Sequence, residues 1–235
     1  MNVASITLYH NEDFRLDNWV KLYNEYKDEI YLHIIVNNGN KEDMPMLRER
    51  FPNSHILYSE SSNMTHSYNM GVLEAMKYPE IDAIMQITND IRIFGGGVTN
   101  LYNKLLEDKS LAVIGPVVLR KQSDIVESFG YIIPHVYSDA IPVYRGISYK
   151  DIPDAFKYVS SIPGGAIMVK RSAYEEFGLQ DEKIHMYCDE RDMFIRFKQL
   201  GYKEGVLCSV LASHEHIFKP GTTRRSTMAT YLTAR

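Results

Sequence analysis

The chain has 235 residues, 26 Lys+Arg against 30 Asp+Glu for a formal charge of −4, and an apolar share of 45%. That composition can bury a proper core and excludes intrinsic disorder, while the slightly acidic balance argues against a dedicated nucleic-acid binder. Two cysteines, Cys188 and Cys208, without CxxC spacing, exclude a disulfide framework and read as ordinary thiols of a reducing compartment. No apolar run approaches the ~20 residues that span a bilayer. The N-terminus meets charge too early for a signal peptide, so a soluble, cytoplasmic protein with no transmembrane segment is expected.

Short apolar runs alternate with amphipathic stretches through the first half. Val3 to Tyr9 reads as a buried strand, and Leu16, Trp19, Val20, Tyr23 and Tyr26 recur at helical spacing. Tyr31 to Val36 is a second strand, ended by the turn Asn37-Asn38-Gly39-Asn40. Met46 to Phe51 is a short helix stopped by Pro52, His55 to Tyr58 a strand, and Ser67 to Lys77 a helix ended by Tyr78-Pro79. Asp82 to Thr88 is another strand, running into Asn89-Asp90. This βαβαβαβ order predicts an α/β fold of a single domain, with a mainly parallel central sheet flanked by helices. The second half is less regular. Gly95-Gly96-Gly97 opens a helix to about Glu107, and Leu111 to Leu119 is a strand broken by Gly115-Pro116. Residues 120 to 160 look like an ordered, loop-rich insertion. Gly164 to Lys170 is a strand, Arg171 to Phe177 a short helix, Asp189 to Leu200 a helix, and Gly205 to Leu211 the last strand.

In open α/β sheets, ligands bind outside the carboxyl ends of the strands. Three such ends are polar here: Tyr9-His10-Asn11-Glu12, Asn37-Asn38-Gly39 and Thr88-Asn89-Asp90, which suggests a nucleotide pocket involving Tyr9, Asn11, Glu12, Asn37 and Asn89. Asp90 closes either a turn or the coordination of a hard cation such as Mg²⁺ or Mn²⁺. Asp189, Glu190 and Asp192 open a helix, where acidic side chains complement the dipole by ~0.3–1 kcal/mol each; equally, one of them can serve as a general base. His214 and His216, two residues apart after a strand, can meet one metal or simply be surface or core histidines; with Asp90 they would form a mixed oxygen/nitrogen site suited to Mn²⁺. Arg224-Arg225 lies in a Gly/Thr/Ser-rich segment that is either a solvated tail or a flap for phosphate. GxGxxG, GxxxxGK[ST], GxSxG and HExxH are all missing, which removes the P-loop, Rossmann, serine-hydrolase and zincin readings.

Taken together and in order, from about Ile6 to His214, these segments resemble the family 2 glycosyltransferases of GT-A fold. Ile34-Ile-Val-Asn-Asn-Gly-Asn40 with Asp43 is similar to that family's strand ending in Asp-Asn/Asp-Gly-Ser-x-Asp, and Asn63-Met-Thr-His-Ser-Tyr-Asn69-Met-Gly71 to its Asn-x-Gly-x-x-x-Asn-x-Gly segment. Ile87-Thr88-Asn89-Asp90 falls where the family has its DxD metal motif. Gly164 to Lys170, Phe177-Gly-Leu-Gln-Asp-Glu182 and Asp189-Glu190-Arg191-Asp192 resemble its glycine-rich strand, Gly-x-x-Asp-Glu turn and Glu-Asp-x-Asp helix start. Three positions depart from the pattern: Asn37 for the base-reading Asp, Thr88 for the first Asp of DxD, and Asp189-Glu190 for Glu-Asp.

The resemblance implies inverting transfer of a sugar from a nucleoside-diphosphate donor, a UDP-sugar first, to an acceptor hydroxyl of a glycan or glycoconjugate, as in polysaccharide biosynthesis. It implies a nucleotide-sugar-binding half over about 1–110 and an acceptor-binding, catalytic half over about 111–235. By position, Asn37 would contact the nucleobase, Asn63, Asn69 and Arg224 would join the nucleotide site, Asp90 with His214 or His216 would hold Mn²⁺ or Mg²⁺, and Glu190, beside Asp189, would be the base. Tyr131, His135, Tyr137, Tyr144 and Arg145 would shape the acceptor side. A nucleotidyltransferase is disfavoured because Tyr9 to Asp13 lacks the Gly-rich basic loop. A domain that binds sugar nucleotides or glycans without transfer is the alternative that Thr88 and Asn37 motivate.

Overall fold

A strand buried along its whole length must be covered on both faces, and Val3–Tyr9 has all seven residues buried. The computed structural model describes residues 1–135, 139–185 and 189–216. In chain order its elements are β1 (Val3–Tyr9), α1 (Leu16–Tyr26), β2 (Leu32–Asn37), α2 (Met44–Arg50), β3 (His55–Tyr58), α3 (Met64–Ala75), β4 (Ala83–Ile87), β5 (Ile91–Ile93) and α4 (Gly97–Glu107). They continue with β6 (Leu111–Arg120), β7 (Val126–Ser128), β8 (Tyr131–Ile132), β9 (Ile141–Pro142), β10 (Phe156–Val159), β11 (Ala166–Lys170), α5 (Arg171–Phe177), α6 (Asp189–Gln199) and β12 (Lys203–His214).

The main sheet runs β10-β12-β6-β11-β4-β1-β2-β3, with β5 added to β12 and β7 to β6. The β4-β1-β2-β3 half is parallel throughout, as the alternating order predicts, and β12 is parallel to β6. β11 is antiparallel to both its neighbours. Its entry therefore lies at the carboxyl ends of β4 and β6, so one sheet edge collects the ends of β1, β2, β4 and β12 together with Gly164-Gly165.

Apolar side chains of α3, α5 and α6, among them Val72, Tyr174, Phe194 and Phe197, build the core on one face. On the other, α4 contributes Val98, Leu101 and Leu105, and α1 and α2 close a cluster of Trp19, Leu47 and Phe51 on Tyr9 and Ile35. Burying one such side chain contributes about 1.5–3 kcal/mol. The α1 stripe differs slightly from the expected one: Leu16, Trp19, Leu22 and Tyr26 are buried, while Val20 and Tyr23 lie at its margin. Gly71 lets α3 approach β1, since a Cβ there would stand 2.6 Å from Ile6 Cγ2.

Two expectations about strands are corrected. β6 is unbroken through Gly115-Pro116. Proline lacks a ladder donor, and the irregularity falls on the partner instead: β12 shifts register between Leu207 and Leu211 opposite Pro116 and Val117. The last strand is longer than expected and ends at His214. The 120–160 segment is ordered and loop-rich as expected, and within it lie β7, the small β8-β9 hairpin and the edge strand β10.

Candidate active site

At the end of β4 the chain turns through Thr88-Asn89-Asp90 into β5, which pairs antiparallel with the end of β12 and sets Ile91 opposite His214. The Glu215 amide donates to the Asp90 carbonyl at 2.8 Å. This short pairing is what carries His214 to Asp90. His214 Nε2 lies 3.3 Å from Asp90 Oδ1, and Nδ1 lies 3.6 Å from Glu127 Oε1. His216 Nε2 lies 2.7 and 2.8 Å from the two Glu127 oxygens, and the two imidazoles stack with centroids 3.7 Å apart. The Arg15 guanidinium reaches Asp90 Oδ2 at 3.4 Å, Glu12 Oε1 at 3.0 Å and Asn89 Oδ1 at 3.2 Å.

The electrostatics of this group follow from its burial and its pairing. Burial alone would raise the Asp90 carboxyl, but the hydrogen bond and charge of His214, then Arg15 and Thr88, hold it at about 2. Glu127 is raised by burial and lowered further by both histidines, to about 2. Burial would lower His214, yet its two carboxylate partners push it up to about 9. In the metal-free protein His214 is therefore a cation between two anions, and a divalent ion bound there displaces that proton. The donor set fits Mn²⁺: carboxylate oxygens and imidazoles are its ligands, and Glu127, His214 and His216 each offer an atom within 4.8 Å of the others.

A second group stands across the same sheet edge. Asp189 and Glu190 occupy the first turn of α6, where the helix dipole favours negative charge. The Glu190 carboxyl rests against Gly164, whose amide donates to it. Burial first, then the neighbouring Asp189 charge, push Glu190 well above the usual carboxylate range; burial likewise raises Asp189, which accepts from Glu190. The two groups connect through Thr88, whose amide donates to the Gly165 carbonyl at 3.0 Å and whose hydroxyl donates to Asp90 Oδ1 at 3.1 Å. The buried Tyr68 phenol feels the charges of Asp189, Glu190 and Asp90 together. Two carboxylate groups, Asp90 and the Asp189-Glu190 pair, thus stand at the carboxyl ends of the strands and are linked through Thr88.

Solved structures with this arrangement of elements identify the fold. The chain has the GT-A fold. It is similar to the crystal structure of GalNAc-T7 with UDP, GalNAc and Mn²⁺, at a TM-score of 0.68 and 11% identity, over 91% of this chain and 44% of that one. It is also similar to the mannosyltransferase PcManGT from Pyrobaculum calidifontis in complex with GDP-Man and Mn²⁺, at a TM-score of 0.63 and 14% identity, over 94% of this chain and 58% of that one. The chain spans about half the length of these two structures. No protein-family model and no curated protein matches the sequence.

Within the GT-A frame the residues expected at the nucleotide site divide into two sets. Glu12 and Asn89 hydrogen-bond each other beside Arg15 and Asp90, and burial raises the Glu12 carboxyl. Asn11, at φ 53°, accepts from the Asn40 amide at 2.7 Å and so joins the first strand end to the second. Tyr9 is buried and hydrogen-bonds Asp13. The other set hydrogen-bonds within the protein itself. Asn37 is fully buried; its amide donates to the Asn40 carbonyl at 2.7 Å and its oxygen accepts from the Gly39 amide at 2.9 Å, so it closes the turn. Asn63 caps α3 and donates to the Glu182 carbonyl at 2.8 Å. Asn69 donates to the Gln180 carbonyl at 2.9 Å and Glu182 Oε1 at 3.0 Å, and accepts from the Gln180 amide at 3.1 Å. These two asparagines tie α3 to the Gln180–Glu182 segment.

Arg224, Tyr137 and Cys188 lie outside the described residues. Tyr144 donates to Asp154 at 2.6 Å and packs on Phe129, while Tyr131 pairs with Ser161 near the entry of β11; His135 and Arg145 are exposed. Glu127 was not anticipated. A lone Glu in an irregular segment carries no spacing signal, and it reaches the histidines only through β7 and β6. Among the described residues no helix is long and apolar enough to cross a membrane.

Proposed function

We propose that this chain is a metal-assisted, inverting glycosyltransferase that moves a sugar from a nucleoside-diphosphate donor, a UDP-sugar first, to an acceptor hydroxyl of a glycan or glycoconjugate. The observation that carries this reading is the Glu190 carboxyl, raised by burial and Asp189 and seated on Gly164, with Asp90 close enough for both charges to act on Tyr68. A base that has to accept a hydroxyl proton works best when its pKa is lifted towards neutrality. Glu190 takes the proton of the acceptor hydroxyl as that oxygen attacks the anomeric carbon from the face opposite the diphosphate. Asp189 stabilises the protonated Glu190 by accepting its hydrogen bond. Asp90, His214 and His216 would hold the divalent ion, Mn²⁺ or Mg²⁺, which would supply positive charge for the diphosphate. Arg15, placed on Asp90 and Glu12, lies on the diphosphate side, and the Asn37–Asn40 turn supports the base through its backbone. Residues about 1–110 then serve the donor and about 111–235 the acceptor, with Tyr131, His135 and Arg145 on that side.

Two measurements test the reading. A thermal-shift panel of UDP, GDP, CMP and dTDP with Mn²⁺ or with EDTA should show stabilisation by one diphosphate that EDTA removes. At ~100 Kd of ligand the expected stabilisation is about 2.7 kcal/mol. With that donor class and an acceptor, Glu190→Gln should lower transfer by about 10³-fold or more while nucleotide affinity stays within a few-fold. A fully active variant refutes the base assignment. Nucleotide binding by the wild type without turnover on any acceptor would favour a binding domain.

A further inference from the structure

Glu127 enters the site by a local irregularity. β7 pairs with β6 at Ser128 opposite Val118 and at Val126 opposite Leu119, so two steps on β7 face one on β6. Glu127 is the extra residue of that bulge, a device that re-aims a side chain. A second irregularity faces it. His216 has φ 45°, a left-handed conformation uncommon for any residue but glycine. The turn brings the His216 ring back over His214, while the intervening Glu215 points elsewhere, accepting from the Ser213 hydroxyl at 2.8 Å with Lys121 at 3.6 Å. Two separate backbone distortions therefore converge one carboxylate and two imidazoles.

We propose that Glu127, His214 and His216 form an all-protein site that holds one transition-metal ion, Mn²⁺ in preference to Mg²⁺, before any nucleotide arrives. Glu127 Oε1 stands 2.7 Å from His216 Nε2 and 3.6 Å from His214 Nδ1. Ligands at ~2.1 Å around one ion stand about 3–3.5 Å from each other, so these separations need little adjustment. Two imidazoles and one carboxylate select against Mg²⁺, which prefers oxygen ligands and keeps its waters. Asp90, next to His214, is then the neighbouring carboxylate and not the sole anchor. For its place in the reaction the proposal rests on the glycosyltransferase reading, but the metal site can be tested without donor or acceptor.

The experiment is a Mn²⁺ titration of EDTA-stripped, desalted protein without nucleotide, followed by calorimetry and by pulsed EPR for nitrogen coupling. One Mn²⁺ per chain with histidine coupling is expected, unaffected by millimolar Mg²⁺. Glu127→Gln and His216→Ala should each weaken binding about tenfold or more, with the stripped protein still unfolding cooperatively, and Asp90→Asn should weaken it less than either. Absence of Mn²⁺ binding without nucleotide overturns the proposal. So does wild-type affinity in both Glu127→Gln and His216→Ala, or loss of the ion in Asp90→Asn alone. A failed nucleotide panel with an intact Mn²⁺ site would refute the transferase reading and leave this inference standing.

Discussion

Gly164→Ala isolates the contribution of Glu190 placement. An alanine Cβ at position 164 would lie 2.7 Å from Glu190 Cδ and 2.9 Å from Cγ, and closer still to Oε1. Ordinary van der Waals contact begins near 3.4 Å, so the carboxyl must retreat by 3.4 − 2.7 = 0.7 Å at Cδ and by more at Oε1. The obstructing atoms are the far end of a flexible side chain, and Gly164 does not have a left-handed backbone, so the fold can accept the methyl group. Gly→Ala also stiffens the unfolded chain, worth about 0.4–1 kcal/mol in favour of the folded state. The melting temperature should therefore hold or rise slightly. Transfer should fall about 10²-fold, because a misplacement near 1 Å costs that much, equivalent to about 2.7 kcal/mol in the barrier. Release of nucleoside diphosphate in the presence of acceptor measures it. Gly165→Ala is the control, since its Cβ would sit 3.6 Å from Ile91 Cδ1 in ordinary contact. Wild-type turnover in Gly164→Ala, or an equal loss in Gly165→Ala, refutes the reasoning.

Glu204 on β12 is buried, and burial raises its carboxyl to about 8 from 4.5, with Lys198 partly opposing. Between these two values the folded chain binds more protons than the unfolded one, so stability falls as pH rises from 4.5 towards 8 and is level beyond. At 1.36 kcal/mol per unit the cost at pH 7 is about 3 kcal/mol. Glu204→Gln should therefore melt higher than the wild type at pH 8 and show little difference at pH 4.5; a gap that narrows with rising pH contradicts this. Asn69→Ala removes three hydrogen bonds to Gln180 and Glu182 and leaves buried backbone groups unpaired. It should cost about 1–3 kcal/mol in urea unfolding and reduce transfer while leaving nucleotide affinity near wild type; a loss confined to nucleotide binding would return Asn69 to the ligand site.

Most of the parallel half of the fold was legible in the sequence, because strand and helix patterning is local. Apolar runs such as Val3 to Tyr9, the Asn37-Asn38-Gly39 turn and the stripe of α1 are set by residues within one or two turns of each other. The acidic start of α6 and the polar strand ends were equally readable, and the ordered set of landmarks pointed to the GT-A fold. What the tertiary structure decided depends on pairing between distant strands. His214 meets Asp90 only because three residues of β5 pair with β12, and Pro116 is tolerated only because β12 bulges opposite it. Glu127 joins the histidines through one extra residue in β7, which no spacing rule encodes. Asn37, Asn63 and Asn69 have the residue type of ligand contacts, yet their amides close a turn and bind α3 to the approach to α6. Which of the chain's own carbonyls and amides these side chains meet is decided only when the segments pack.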